Sequence, residues 1–232
     1  MDLKDKVAVI TGVSKGIGAE LSKQLLEEGC IVFGLGRNSG DIKHANFIFI
    51  KTDIRNFLEV ESAFKKILSQ NSSIHILINN AGLGYFSNVE DLPLSHWDEM
   101  FQTNVNGMFY CTKLAVPVLK NVGFGHIINI SSIAGLEGMP MVSGYCATKW
   151  AVKGFSESLW RELRDFRIKV TCVYPGSVKT DFFRNSENIK PHDYMLMPED
   201  VAKMILHALK SPDNMHQVNL EVRPLQPKGP KN

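Results

Sequence analysis

Residues 7–18 read VAVITGVSKGIG, so the apolar run Val7-Ala8-Val9-Ile10 passes directly into a turn carrying Gly12, Gly16 and Gly18. An unbroken apolar run of this length fits a strand covered on both faces. The next residues take up a helical period, with Ile17, Leu21 and Leu25 on one stripe. A glycine turn between strand and helix lets backbone N–H groups at a helix N-terminus approach a pyrophosphate. Its spacing is G-x3-G-x-G, so the commoner G-x-G-x-x-G fingerprint does not strictly apply. The position of the turn, after the first strand of an alternating chain, is what sets it above a simple chain reversal.

The alternation continues outward from this stretch. Strand-like runs recur at 30–33, 47–50, 74–78, 126–130, 168–174 and 217–222. Between them lie helical patterns. Asn56 is expected to cap a helix carrying Val60, Phe64, Ile67 and Leu68. Ser95-His96-Trp97-Asp98 resembles a capping box for a long helix to about Lys120, which Pro117 should kink or end early. Further helices are expected to open near Tyr145 and at Pro198. Strands alternating with helices predict an α/β fold: one doubly wound, Rossmann-type domain over residues 1–232, with about seven parallel strands and helices on both faces.

The end of the second strand reads the ribose of a dinucleotide, where an acid bonds a 2′-hydroxyl and an arginine accommodates a 2′-phosphate. No acid occurs from Cys30 to Gly40, Arg37 stands just past the strand, and Lys15 sits in the glycine turn. These charges favour NADP(H) over NAD(H).

A second constellation lies between Asn129 and Gly154. A strand ends at Ser131-Ser132, and a loop leads to a helix bearing Tyr145 and Lys149 at i and i+4, on one face. A phenol has a reference pKa near 10, and a nearby ammonium and the helix N-terminus both favour its anion. Bringing it down by about 3 units takes about 4 kcal/mol, and Lys149 is the group at hand. Ser132 is then placed to hold a carbonyl oxygen while Tyr145 protonates it. Taken alone, such a pair is more often two snorkelling side chains on an amphipathic helix.

Composition narrows the class. The 232 residues are 44% apolar and carry a formal charge of +2, with no basic block, so neither nucleic acid nor an anionic membrane is indicated. The charged N-terminus is not expected to be a signal peptide, and no apolar run approaches a membrane span. Cys30, Cys111, Cys146 and Cys172 lack CxxC spacing and read as reduced, packed thiols. No His/Cys cluster suggests a metal. A cytoplasmic globular protein is expected.

Taken together, the motifs resemble the short-chain dehydrogenase/reductase family from about Lys6 through Val222. They occur in order as Thr11-Gly12-x3-Gly16-Ile17-Gly18, Asp53, Asn79-Asn80-Ala81-Gly82, Asn104, Ser132, Tyr145-x3-Lys149 and Pro175-Gly176-x3-Thr180. The resemblance implies that Gly12, Ser14, Lys15, Gly16, Ile17 and Gly18 form the pyrophosphate turn, and that Asp53 and Ile54 meet the adenine. It implies that Asn80, Ala81 and Gly82 line the ribose side. Beyond Pro175 and Gly176, Val178 and Thr180 would hold the carboxamide. Tyr145 would be the general acid or base, Lys149 would tune it and bond the nicotinamide ribose, and Asn104 would support a water relay to Lys149. The 13-residue interval between Ser132 and Tyr145 fits the family and selects Ser132 over Ser131.

The expected reaction is hydride transfer between NADP(H) and a ketone, aldehyde or secondary alcohol. Alternatives are a 3-oxoacyl thioester reductase, although the short tail lacks the Gly-Gly-rich segment associated with that subfamily, and a non-catalytic NADP(H)-binding regulator. Leu83, Tyr85, Phe86, Leu136, Met139, Met141, Phe182, Phe183, Tyr194, Met195 and Met197 are candidates for an apolar substrate pocket with a lid at about 182–197. Residues 226–232 read as a frayed tail. The helices over 97–120 and 145–165, with Trp150, Phe155 and Trp160, are expected to pair in a homodimer or homotetramer.

Overall fold

In the computed structural model, which describes residues 1–182 and 192–227, seven strands form one parallel sheet. They are β1 (Val7–Thr11), β2 (Ile31–Gly36), β3 (Phe47–Lys51), β4 (Ile76–Asn79), β5 (Gly125–Ile130), β6 (Ile168–Pro175) and β7 (Asn219–Val222). Their spatial order is β3-β2-β1-β4-β5-β6-β7. The chain therefore builds outward from β1 in one direction, then returns to lay β4 on its other side. That reversal opens a crevice beyond the carboxyl ends of β1 and β4.

The period-two pattern of the strands explains the layers. Val7 and Val9 point into a core shared with Val60 and Phe64 of α2 (Phe57–Gln70), Cys111 and Leu119 of α4 (Met108–Val122), and Leu159 and Leu163 of α5 (Ser143–Leu163). Ala8 and Ile10 point the other way, into a core with Leu21 and Leu25 of α1 (Gly16–Glu27) and Val201 and Ile205 of α6 (Pro198–Lys210). Both faces of β1 are thus covered, as its unbroken apolar run requires. Asn56 caps α2 as expected, accepting from the Leu58 and Glu59 N–H groups at 3.0 and 3.4 Å.

The expected start of the long helix fails, and so does one of the two effects expected of Pro117, an early end. The helix begins with α3 (Leu94–Phe101), one residue before the supposed cap Ser95, and neither Ser95 nor Asp98 caps it. Pro93 takes the entry position, where its missing N–H costs nothing and its carbonyl accepts from His96 at 2.9 Å and Trp97 at 3.1 Å. Pro117 does not end the helix either, since α4 runs to Val122. Pro117 and Lys113, whose carbonyl loses its intrahelical partner, are both exposed, so water can take that bond. The irregular turn lies upstream, where Gln102–Gly107 is wound as a π-helix between α3 and α4.

Residues 183–191 of the expected lid, with Phe183, and residues 228–232 of the tail lie outside the described residues. No helix among the described residues is long and apolar enough to cross a membrane.

Candidate active site

At the β1 end, Gly12 and Gly16 have φ of +74° and +63°, a backbone that side chains disfavour. A methyl group added at Gly12 would stand 2.9 Å from the Ala81 Cα, and one added at Gly18 would collide with the Gly12 carbonyl oxygen and the Asn80 amide. The turn is therefore packed directly on the end of β4. Thr11 and Asn80 hold the two together. Thr11 Oγ1 accepts from the Asn80 and Ala81 N–H groups at 3.0 Å each, and Asn80 Nδ2 donates to the Thr11 and Gly12 carbonyls at 2.9 and 3.0 Å. Asn80 thus works as a staple as well as a lining residue, and Thr11 is a site residue that the motif reading left unassigned.

The N-terminus of α1 has no side-chain cap and no acid in its first turn. It opens on a cavity of about 610 Å³ at the carboxyl edge of the sheet. Uncapped N–H groups with a glycine-cleared approach fit the phosphates of a dinucleotide. Of the residues expected at the cofactor, Gly12, Ser14, Lys15, Gly16, Ile17, Arg37, Asp53, Ile54, Asn80, Ala81, Gly82, Pro175, Gly176, Val178 and Thr180 line this cavity. Gly18 lies behind it as the close-packing position. Val178 forms an isolated parallel bridge with Leu196, and the Thr180 hydroxyl accepts from the Phe182 N–H at 3.2 Å.

The charges are arranged differently from the sequence expectation. Lys15 is not an open cation: its ammonium lies 2.7 Å from Asp181. Arg37 is exposed at the end of β2 and makes no ion pair among the described residues. Asp53 is gripped by Arg55, whose guanidinium reaches it at 2.6 Å and Glu99 at 2.9 Å. That bond holds the Asp53 carboxyl below its ordinary range. Arg55 also lines the cavity; only its place two residues after Asp53 hinted at it.

At the other end, Ser131 and Ser132 are sorted by burial. Ser131 is buried and donates to the Lys149 carbonyl at 3.0 Å, a structural bond. Ser132 is half-buried, accepts from the Ala134 N–H at 3.2 Å, and its hydroxyl lies close enough to Tyr145 to favour the ionised phenol. Ser132, Tyr145 and Lys149 all line the cavity. The Lys149 ammonium is buried, lies 5.5 Å from the centre of the Tyr145 ring, and donates to the Ile130 carbonyl at 2.8 Å. Burial pushes its pKa down to about 8. The phenol is likewise not drawn down in the chain by itself. Burial holds it above its ordinary value, opposed by the Ser132 hydroxyl beside it. Lys149 sends its charge to a backbone carbonyl, and the phenol loses more solvation than Ser132 restores.

Asn104 does not line the cavity. It sits in the π-helical turn, where its amide clamps Leu83: Oδ1 accepts from the N–H at 2.9 Å and Nδ2 donates to the carbonyl at 2.8 Å. Nδ2 also reaches Thr148 Oγ1 at 3.0 Å. Its side chain is a strap for the 82–86 loop, and a methyl group added at Gly82 would meet Asn104 Oδ1 at 3.2 Å and Lys149 Nζ at 3.6 Å. Of the expected substrate residues, Leu83, Phe86, Met139 and Phe182 line the cavity, and Val142 joins them. Tyr85 instead bonds Glu99 at 2.6 Å and stacks on His96. Leu136 packs with Tyr174, Met195 is buried apart from the cavity, and Met141, Tyr194 and Met197 are exposed.

A model of the short chain dehydrogenase family matches residues 6–190. Human dehydrogenase/reductase SDR family member 11 is 34% identical over 248 residues, covering 96% of this chain and 95% of its own. An uncharacterized oxidoreductase of Staphylococcus aureus is 35% identical over 231 residues, covering 96% and 99%. Among solved structures, an alcohol dehydrogenase from the archaeon Thermococcus sibiricus, complexed with 5-hydroxy-NADP, superimposes with a TM-score of 0.86 at 26% identity, over 99% of this chain and 100% of that one. A 3-ketoacyl-(acyl-carrier-protein) reductase from Brucella melitensis, complexed with NADH, gives 0.89 at 26%, over 97% and 99%. Likeness along nearly the full length, on a sheet whose crevice is already shaped for a dinucleotide, makes this chain a member of the short chain dehydrogenase family, an oxidoreductase acting on CH–OH groups.

Proposed function

We propose that the chain is an NADP(H)-dependent oxidoreductase interconverting a ketone or aldehyde and the corresponding alcohol, with Tyr145 as general acid and base. The observation that carries this reading is the Tyr145 phenol, opening on the crevice together with the Ser132 hydroxyl, with the Lys149 ammonium buried beside it. The nicotinamide, when bound, supplies or takes up the hydride. The chain's own residues manage the oxygen. Ser132 hydrogen-bonds the carbonyl oxygen and Tyr145 delivers its proton to it, after which solvent restores the phenol. Burial that raises the phenol keeps it protonated at neutral pH, the form an acid needs in the reductive direction. Working as a base toward an alcohol, the same phenol must first ionise.

The glycine turn and the α1 N-terminus would hold the phosphates, and Arg37 at the end of β2 is the charge that supports NADP(H) over NAD(H). The likeness to a 3-ketoacyl reductase favours a second substrate for the same chemistry, a 3-oxoacyl thioester, which belongs in the same panel.

Tyr145→Phe tests the assignment. It should cut NADPH-consuming turnover about a thousandfold while the dissociation constant for NADPH stays within about threefold of wild type, since the phenol oxygen acts on the substrate. A wild-type chain that reduces no ketone, aldehyde or thioester in a broad panel is not this enzyme.

We further assign the chain to the cytoplasm as a single catalytic domain with four free, buried thiols. It would form a homodimer or homotetramer through α4 and α5, on which Phe109 and Trp150 are exposed. Phe155 and Trp160 pack partly on the chain's own core, so they contribute less to such a face than the sequence suggested. A monomeric mass by light scattering at micromolar concentration rules the assembly out.

A further inference from the structure

The crevice changes character along its length. Toward the adenosine end its walls carry Arg37, Asp53 and Arg55. Beside the Ser132 and Tyr145 hydroxyls they become Leu83, Phe86, Met139, Val142 and Phe182, none of which is charged. Three of the rings at this end touch one another. Phe86 meets Tyr145 edge-on with centroids 5.9 Å apart, Phe182 meets Tyr145 at 5.5 Å, and Phe86 meets Phe182 at 6.3 Å. Such distances and angles are those at which aromatic rings attract.

Gly84 is what allows the rings to converge. A methyl group added there would stand 2.9 Å from the Phe86 ring, 3.1 Å from the Phe182 ring and 3.2 Å from the Tyr145 ring. The first contact is shorter than real Cβ contacts and the other two are tight, so any other residue would displace the Phe86 ring and crowd the other two. The loop carrying Gly84 and Phe86 is fixed behind by Asn104 on Leu83 and by Glu99 on Tyr85. The three rings are thus a built surface with the reactive phenol as one of its members.

We propose, on the strength of the reductase reading above, that the substrate is a neutral carbonyl compound with an aromatic or flat apolar ring beside the carbonyl, and that Phe86 and Phe182 set this preference. The carbonyl oxygen lies toward Ser132 and Tyr145, and the ring lies against Phe86 and Phe182. Among the described residues a charged group on the substrate meets at this end only Lys149, held by the Ile130 carbonyl, and Asp181, paired with Lys15, so a carboxylate, phosphate or amino group loses its hydration on entering. A polyol likewise meets apolar side chains beside the two hydroxyls that hold the reacting oxygen.

The test compares acetophenone, 4-acetylbenzoate and 2-butanone as substrates with NADPH. Acetophenone should exceed 2-butanone in kcat/KM by roughly a hundredfold, the scale expected from burying the extra ring carbons. It should exceed 4-acetylbenzoate, the same ketone with a ring carboxylate, by at least as much. Phe182→Leu and Phe86→Leu keep the apolar volume and remove the ring, so each should reduce the acetophenone-to-butanone ratio to about tenfold or less while thermal unfolding still shows a folded protein. If carbonyl compounds turn over but acetophenone holds no advantage, if the carboxylate is tolerated, or if the leucine variants keep the full ratio, the preference is not set by these rings. If none of the three ketones nor any other carbonyl consumes NADPH, the reductase reading itself fails and this inference with it.

Discussion

Lys149→Met should leave the protein folded, more stable and inactive. The wild-type ammonium is buried, and its only hydrogen bond among the described residues goes to the Ile130 carbonyl. Its pKa moves from 10.5 to about 8. At 1.36 kcal/mol for each pH unit, keeping that charge inside the folded chain costs about 3 kcal/mol at and below neutral pH. Methionine fills a similar volume without the charge, and the Ile130 carbonyl left without its donor takes back about 1 kcal/mol. The net gain is about 2 kcal/mol at pH 6.5, or roughly 4–8 °C in Tm for a chain of this size. The pH dependence makes the explanation specific. Because the folded pKa lies below the unfolded one, the unfolded chain binds more protons between about pH 8 and 10.5. The penalty this charge places on the wild type therefore fades through that window, and the advantage of the variant shrinks by about 1 kcal/mol between pH 6.5 and 9. The raised thiols of Cys30 and Cys111 titrate in both proteins and cancel in the difference. Urea unfolding of both proteins at the two pH values measures it, with turnover assayed alongside. A variant no more stable than wild type at pH 6.5, or one whose advantage is the same at both pH values, refutes a charge held against its solvation.

The remaining predictions concern the cofactor end and the pH profile. Arg37→Asp should weaken NADPH binding by more than tenfold, about 1.4 kcal/mol, and relatively favour NADH; fluorescence titration with unchanged dissociation constants would remove Arg37 from the phosphate. Lys15→Ala should do less than that, because its ammonium already pairs with Asp181 in an exposed bridge of small worth. Reductive turnover should hold steady from pH 6 to about 7.5 and fall as Lys149 loses its proton near pH 8. A rate that climbs through pH 8 in the reductive direction would mean that the ammonium is not required there.

What could be read from the sequence follows from how far apart the cooperating residues lie along the chain. The glycine turn was legible because its demand is local: Gly12 and Gly16 need their own backbone angles whatever surrounds them. The alternating runs gave the parallel sheet for the same reason, since each strand shows its burial on both faces within a few residues. Tyr145 and Lys149 announce a shared face because they are one helical turn apart. The physical state of that pair was not legible. Lys149 reaches a carbonyl 19 positions upstream, and both groups are buried by loops that no local pattern assigns to them. Arg55 is joined to a carboxylate 44 positions away, so the wall beside Asp53 escaped notice although Asp53 itself did not. Pro117 shows the converse, a local stop signal that the helix runs through where Pro117 and Lys113 are both exposed. The substrate end is the extreme case, since Gly84, Phe86, Tyr145 and Phe182 come from three separate parts of the chain and have meaning only when they touch. Cofactor recognition asks the backbone for special conformations and so leaves marks in single short segments. Substrate recognition asks only that apolar groups meet in space, and the same residues scattered through a core would read identically. For a chain of this kind the reaction class is therefore written in the sequence, and the choice of substrate is written only in the fold.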